Sequence, residues 1–414
     1  MSTCFEYRET ISETQLPTQY SELFTFNSEL FTPNSELFMQ FRDLKKQYQV
    51  LKTDMDQAML DAVASGAFIM GKQVKELEAS LAEYVGVKHC VSCANGTDAL
   101  TLALKVWDVK AGDAVFVPDF TFFASAEVIS LEGATPVFVD VDADTFNMDV
   151  KSLENAIEKV KAEGKLTPKV IITVDLFGLP ADYDAIRKTA DKYGLLILED
   201  GAQGFGGEIN GKRACSFGDI STTSFFPAKP LGCYGDGGAV FTDNDEWAVV
   251  LDSLRVHGKG SFKYDNVRIG VNSRLDTLQA AILKVKFDAF KNYEVEDINK
   301  AATLYTEKLK GVVKTPIVPE GYYSSWAQYT IILANREQRD GLQAFLKELG
   351  IPSMVYYPKP LHEQTAYASL GYGKRTNPVT EKLCETVLSL PLHPYITEEE
   401  VEKVCEKVNE FLGN

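Results

Sequence analysis

Lys229 and Asp200 carry the strongest chemical signal in this chain. Lys229 lies in Ser-Phe-Phe-Pro-Ala-Lys-Pro-Leu-Gly-Cys-Tyr-Gly-Asp-Gly-Gly, Ser224 to Gly238. It stands between a strand-like run, Ile220 to Phe226, and a loop holding Gly232, Gly235, Gly237 and Gly238, where backbone can approach a ligand closely. A lysine taken at random is a solvated surface residue. Here the apolar run Leu195-Leu196-Ile197-Leu198 ends upstream in Glu199-Asp200, which reads as a buried strand delivering a carboxylate at its C-terminal end. A lysine able to form a Schiff base, with an acid to keep a pyridine nitrogen protonated, is the pattern of pyridoxal 5'-phosphate chemistry. Gln203 follows Asp200 by three positions and is placed to hydrogen-bond the ring oxygen, although a structural cap would account for either residue.

Other segments would complete such a site. Asn95-Gly96-Thr97-Asp98 joins a strand to a helix, where N–H groups at the helix start attract a phosphate, Gly96 permits close approach and Thr97 adds a hydroxyl. A plain N-cap is the alternative. Ser224 could donate to the same phosphate, and Phe120-Thr121-Phe122-Phe123 could lay an aromatic face on a ring, although such aromatics more often belong to a core. Between Arg255 and Arg274 the charge reverses: Arg255, His257, Lys259, Lys263, Arg268 and Arg274 face only Asp265. That segment is either a solvated basic face or a funnel for an anionic substrate.

The elements that must position these residues alternate regularly. Strand-like runs at His89–Ser92, Ala114–Val117, Pro136–Val141, Lys169–Val174 and Leu195–Leu198 are separated by helical patterns such as Thr97–Trp107, Ser152–Ala162 and Asp182–Tyr193. The expected fold is α/β, a mainly parallel sheet with helices on both faces, and ligands then collect beyond the carboxyl ends of the strands. An amphipathic helix from Phe41 to Ser65, closed by Gly66, precedes the alternation. A strand at Gly238–Thr242 and a long helix from about Leu275 to Leu309 follow it. The expected division is a large domain over 39–284 and a smaller α+β domain over 285–414, with the long helix as connector. Residues 1–38 repeat Ser-Glu-Leu-Phe at a seven-residue period with Pro33 among them, which suits a poorly ordered extension rather than a coiled coil.

The formal charge of −17 over 414 residues argues against a nucleic-acid partner, since phosphate neutralisation needs excess Lys and Arg. No apolar run approaches membrane-spanning length and the polar start is not expected to be a signal peptide, so a cytoplasmic protein is the default. Seven cysteines fit a reduced compartment. Cys90 and Cys93 lie in a strand-like run without a second pair at zinc spacing, and a buried structural role is expected.

Taken together, Asn95-Gly96-Thr97, Phe120-Thr121-Phe122, Glu199 to Gln203, Ser224 to Gly238 and Gly270 to Asp276 resemble the successive signatures of the DegT/DnrJ/EryC1/StrS family of nucleotide-sugar aminotransferases, from about Met39 to the C-terminus. The resemblance implies a fold type I pyridoxal phosphate enzyme acting as a homodimer. It implies that Lys229 is the Schiff-base lysine, Asp200 the pyridinium partner, Gln203 the contact to the ring oxygen and Phe122 the stacking aromatic. Gly96, Thr97 and Ser224 would then cradle the phosphate, and Asn272 would reach it from the neighbouring subunit. Within the family, Ser224 to Gly238, Ser92 to Leu100, Val271 to Asp276 and Ser389 to Tyr395 are most similar to enzymes aminating UDP-2-acetamido-2-deoxy-3-oxo-glucuronate from glutamate for surface polysaccharide. Arg274, His257 and Arg255 would hold a substrate carboxylate or diphosphate. Gly201 departs from the family's usual alanine, and Gly204-Phe205-Gly206-Gly207 is richer in glycine than is common. A sugar dehydratase, an aminotransferase for a dTDP-keto sugar and a non-catalytic regulatory relative are the alternatives. Related dehydratases carry histidine at the lysine position, and a regulatory relative would be expected to lose Lys229 or Asp200.

Overall fold

Alternating runs of apolar residues and amphipathic helices build one seven-stranded sheet at the centre of the computed structural model, which describes residues 39–413 apart from Lys263 and Lys374. The expectation for residues 1–38 and the basic Lys263 therefore lie outside the described residues. The strands are β1 (His89–Cys93), β2 (Asp113–Pro118), β3 (Thr135–Val139), β4 (Thr167–Val174), β5 (Leu196–Asp200), the short β6 (Glu208–Ile209) and β7 (Lys212–Arg213), then β8 (Ile220–Ser224) and β9 (Gly238–Thr242). The sheet order is β1-β9-β8-β5-β4-β2-β3. Strands β8, β5, β4, β2 and β3 are parallel, while β9 runs against both neighbours, so β1 points the same way as the parallel set. The segments after β1, β2, β4, β5 and β8 consequently emerge on one edge.

Side chains along each strand alternate between two helical layers. On one face Val115, Val117, Ile172, Leu198 and Val240 pack with α3 (Gly96–Val106). On the other, Phe116, Ile171 and Ile197 pack with Leu153 and Ile157 of an amphipathic helix, Val150–Glu163, and with Ile186 of another, Tyr183–Tyr193. The fold expected from the alternation is thus observed. Helix α1 (Leu44–Ser65) ends where expected, at Gly66 in the left-handed region with φ of 65°. Helix α2 (Lys72–Val85) was not among the segments singled out, although Val74, Leu77, Leu81 and Val85 have helical spacing and are all buried. Cys90 and Cys93 are buried in β1, their thiols pushed up by burial.

The long helix is nearly continuous: Thr277–Ala289 passes through a wider turn, Phe290–Glu294, into Val295–Leu309. Position 284 falls inside its first half. Beyond it a two-stranded antiparallel sheet, Tyr329–Ile332 with Val387–Leu390, gathers its own apolar cluster with Ile298, Tyr305, Leu342, Val401 and Val404. This region also reaches back to the edge where the strands end. His362 donates its backbone N–H to Asp119 Oδ1 at 2.8 Å and the Asn377 amide donates to Asp119 Oδ2 at 3.0 Å. Both contacts fix the turn that leads from β2 into Phe120–Phe122.

Candidate active site

Strand β5 ends on Asp200 because Leu196–Leu198 are core residues and the chain turns at Gly201. Asp200 is buried. Its Oδ2 accepts from the Ser125 hydroxyl at 2.8 Å and its Oδ1 from the Ala202 N–H at 3.2 Å. Burial raises its pKa, and the Ser125 hydrogen bond, the Lys229 charge and the Ala202 N–H act against that rise. The acid is therefore partly compensated and turned toward a cation.

Lys229 supplies one. It follows β8 through a turn in which its N–H donates to the Phe226 carbonyl at 2.9 Å. The Arg42 guanidinium holds the other side of the loop, donating to the Lys229 carbonyl at 2.8 Å and the Pro230 carbonyl at 3.4 Å. Burial lowers the Lys229 pKa, Asp200 opposes the shift and Arg42 adds to it. A depressed amine facing a buried carboxylate is what a Schiff-base lysine that also moves protons requires.

The residues expected to cradle a phosphate meet at the start of α3. The Asn95 side chain caps the helix by accepting from the Asp98 N–H at 2.8 Å, while the N–H groups of Gly96 and Thr97 have no intrahelical acceptor. A Cβ at Gly96 would stand 2.7 Å from the Ser224 Cβ, so the two elements meet only because residue 96 is glycine. Ser224 Oγ accepts the Phe226 N–H at 3.2 Å and keeps its own proton to donate. The run of phenylalanines is divided by the fold. Phe120 is core, packed on Phe146, Phe177 and Tyr357, and Phe123 packs on Tyr367. Phe122 is 55 % exposed, a bare ring at the sheet edge. Gln203 is buried between Phe177, whose N–H donates to its Oε1 at 2.8 Å, and the Tyr357 hydroxyl, which its amide reaches at 3.1 Å. One amide N–H remains for a ring oxygen.

Arg255 requires a correction. It was expected to hold substrate, yet its side chain is 4 % exposed and its donors are committed internally. They go to Glu78 at 2.6 Å, Asp252 at 2.6 Å and the Ser92 carbonyl at 2.7 Å. An anion could reach it only by breaking a buried ion pair. Arg255 instead ties β1 to α2 and to the helix Asp245–Leu254 that immediately precedes it. His257 and Asn272 are exposed, and Arg274 is half-buried. The Ser273 hydroxyl between Asn272 and Arg274 accepts the Ala94 N–H at 3.0 Å, which ties this segment to the strand end before the cradle. Ser125, Arg42 and Tyr357 were missed from sequence. Ser125 had a signal, its place just after the aromatic turn. Arg42 and Tyr357 come from distant segments whose arrival only packing reveals.

These residues fit pyridoxal phosphate on structural grounds: a desolvated lysine, a buried partnered acid, an uncapped pair of helix N–H groups beside a donor hydroxyl, and an open aromatic face. Comparison with known proteins agrees. The DegT/DnrJ/EryC1/StrS aminotransferase family matches residues 49–409. The chain is 45 % identical over 358 residues to the UDP-2-acetamido-2-deoxy-3-oxo-D-glucuronate aminotransferase of Pseudomonas aeruginosa, covering 86 % of this chain and 95 % of that one. It is 45 % identical over 365 residues to a pleiotropic regulatory protein of Geobacillus stearothermophilus, covering 87 % and 95 %. It is 43 % identical over 350 residues to a UDP-N-acetyl-3-dehydro-alpha-D-glucosamine 3-aminotransferase of Acidithiobacillus ferrooxidans, covering 84 % and 90 %. Among solved structures, a DegT DnrJ EryC1 StrS aminotransferase from Brucella abortus superposes with a TM-score of 0.88 at 50 % identity, covering 91 % of this chain and all of that one. A sugar aminotransferase of Streptococcus pneumoniae in its pyridoxamine phosphate form superposes with a TM-score of 0.81 at 28 % identity, covering 87 % and 96 %. The chain belongs to the DegT/DnrJ/EryC1/StrS aminotransferase family and is a pyridoxal phosphate-dependent aminotransferase of fold type I.

Proposed function

We propose that this enzyme transfers the amino group of L-glutamate to the keto carbon of a nucleotide-linked sugar, UDP-2-acetamido-2-deoxy-3-oxo-D-glucuronate, in the cytoplasm, as a step toward surface polysaccharide. The observation that carries the reading is Lys229 in the glycine loop after β8, its pKa lowered by burial while the charge of the buried Asp200 acts on its amine. When bound, pyridoxal phosphate supplies an electrophilic aldehyde and an electron-withdrawing ring. Asp200, held by Ser125 and Ala202, keeps a negative charge opposite a ring nitrogen. Gly96, Thr97 and Ser224 would anchor the cofactor's phosphate, Phe122 would cover one face of its ring and the remaining amide N–H of Gln203 would donate to a ring oxygen. Lys229, its pKa lowered by burial, would serve as the base that takes a proton from the substrate Cα and returns it on the cofactor side. Arg274, with His257 beside it, meets the substrate's carboxylate or diphosphate. A homodimer that brings Asn272 to the partner's phosphate is supported by exposed Phe68 and Ile269, apolar side chains that a lone subunit leaves in water.

The likeness to a pleiotropic regulatory protein favours a second reading, a regulatory relative without turnover. Retention of both Lys229 and Asp200 weighs against it, and a lysine in place of histidine weighs against a dehydratase. Glutamate-dependent amination across a panel of UDP- and dTDP-keto sugars separates these readings. Selective amination of the UDP-3-keto-uronate is expected. Equal rates on a dTDP-4-keto sugar would overturn the substrate, and no amination of any sugar would overturn the reaction.

A further inference from the structure

Directly behind Asp200, two carboxyl groups lie together in a fully buried setting. Asp175 follows β4, Glu199 is the penultimate residue of β5, and both are 0 % exposed. The Asp175 N–H donates to the Asp200 carbonyl at 3.2 Å, which places this pair against the strand end that carries the acid.

The donors around the pair are unevenly shared. Glu199 accepts from the Cys215 N–H, the Phe217 N–H at 2.7 Å, the Gly218 N–H at 3.1 Å and the Ser221 hydroxyl at 2.8 Å. Asp175 Oδ1 accepts from the Tyr183 hydroxyl at 2.7 Å and the Ala181 N–H at 3.1 Å, but among the described residues no donor reaches Oδ2. The titratable groups facing Asp175 are Glu199, Tyr183, Cys215 and Tyr322, with no cation among them. Two adjacent ionised carboxylates cannot be kept in such a place. Burial raises the Glu199 carboxyl too, but its four donors oppose that rise and favour its anion over that of Asp175, and a proton on Asp175 Oδ2 gives that oxygen its missing partner.

We propose that Asp175 is a neutral acid whose Oδ2–H donates to ionised Glu199, and that this pair positions the turn carrying Asp200 and Gln203. The turn packs directly on it: a Cβ at Gly204 would stand 2.4 Å from both Cβ and Oδ2 of Asp175, and one at Gly201 would stand 2.6 Å from Cys215 Sγ. The unusual glycines at 201 and 204 are the space that Asp175 and Cys215 occupy. Burial first, and the Glu199 charge second, push the Asp175 carboxyl well above the usual range. A neutral Asp175 spares Asp200 a further negative neighbour, so Asp200 keeps its charge for the ring nitrogen. This last consequence rests on the role proposed for Asp200, whereas the location of the proton does not.

Infrared spectra of the full-length protein, with and without pyridoxal phosphate, test the assignment. At pH 7 the wild type is expected to show a protonated-carboxyl C=O stretch that shifts in D₂O and is missing from Asp175→Asn. That variant replaces a neutral acid by a neutral amide, so its Tm should stay within about 2 °C of wild type and its kcat within about threefold. Glu199→Gln, which sets an amide against N–H donors, should lose at least about 5 °C. Absence of the band, its persistence in Asp175→Asn, failure of Asp175→Asn to fold, or a larger Tm loss there than in Glu199→Gln would overturn the proposal. The band with normal behaviour of both variants, but an Asp200→Asn enzyme with unchanged cofactor spectrum and turnover, would overturn the role of Asp200 and leave the proton where it is proposed.

Discussion

At the scale of single residues, what distinguishes Lys229 is the pairing of a backbone held in place by Phe226 and Arg42 with an amine that feels the charge of the buried Asp200. Burial depresses its pKa while Asp200 restrains the shift, and the two residues depend on each other for their chemistry. Lys229→Ala is expected to lower kcat by about 10⁴-fold or more and to abolish the visible absorbance of the lysine-bound cofactor, checked by steady-state assay and spectroscopy. Asp200→Asn should retain cofactor but lower kcat by about 10²–10³-fold, because the amide cannot stabilise a charged ring nitrogen. A second buried lysine gives a stability signature. Lys286 is 2 % exposed over the Tyr234 ring, and burial, with Arg42 adding to it, lowers its pKa to about 8 from 10.5. Between those pH values the unfolded chain binds a proton that the folded chain has released, so stability rises with pH across the window and the penalty is complete below about pH 8. Lys286→Met should therefore raise the Tm at pH 7 by a few degrees and flatten the Tm profile between pH 8 and 10.5, measured by calorimetry.

At the scale of elements, the cradle depends on one helix start meeting one strand end. Asn95 satisfies the third N–H of α3 and leaves those of Gly96 and Thr97 for a ligand. Gly96→Ala drives a methyl into the Ser224 side chain and parts helix from strand. Its expected result is a weaker cofactor Kd, by about 10-fold or more, with the fold retained, as read by fluorescence titration and circular dichroism. The glycine loop after Lys229 is likewise an element rather than a set of ligands, held by Arg42 from outside the sheet.

At the scale of the whole molecule, the proposed dimer makes a prediction no single subunit can satisfy. If Asn272 completes the partner's site, Lys229→Ala and Asn272→Ala are each defective alone, but a mixed dimer holds one intact site. Random mixing of equal amounts should recover about a quarter of wild-type activity. No recovery, with mixed dimers demonstrated by mass, would show that Asn272 serves its own subunit. The C-terminal segment takes part in the same organisation, since His362, Asn377 and Tyr357 reach the strand-end edge from 150 or more residues beyond the groups they hold.

The sequence by itself determined the strand and helix alternation and the edge on which the strand ends gather, and it singled out Lys229, Asp200 and the Gly96–Thr97 helix start as the groups proposed to hold the cofactor. These are legible because periodicity and strand-end position are local properties of the chain. Only the tertiary structure decided which members of similar-looking groups face the site. It separated Phe122 from Phe120, withdrew Arg255 into a buried ion pair, committed the Gln203 oxygen to Phe177, and brought in Ser125, Arg42 and Tyr357. It also explained Gly201 and Gly204, which from sequence alone were merely unusual. The reason is physical: burial, pairing and close approach depend on what distant segments place alongside a residue, and no spacing within one stretch of chain specifies that.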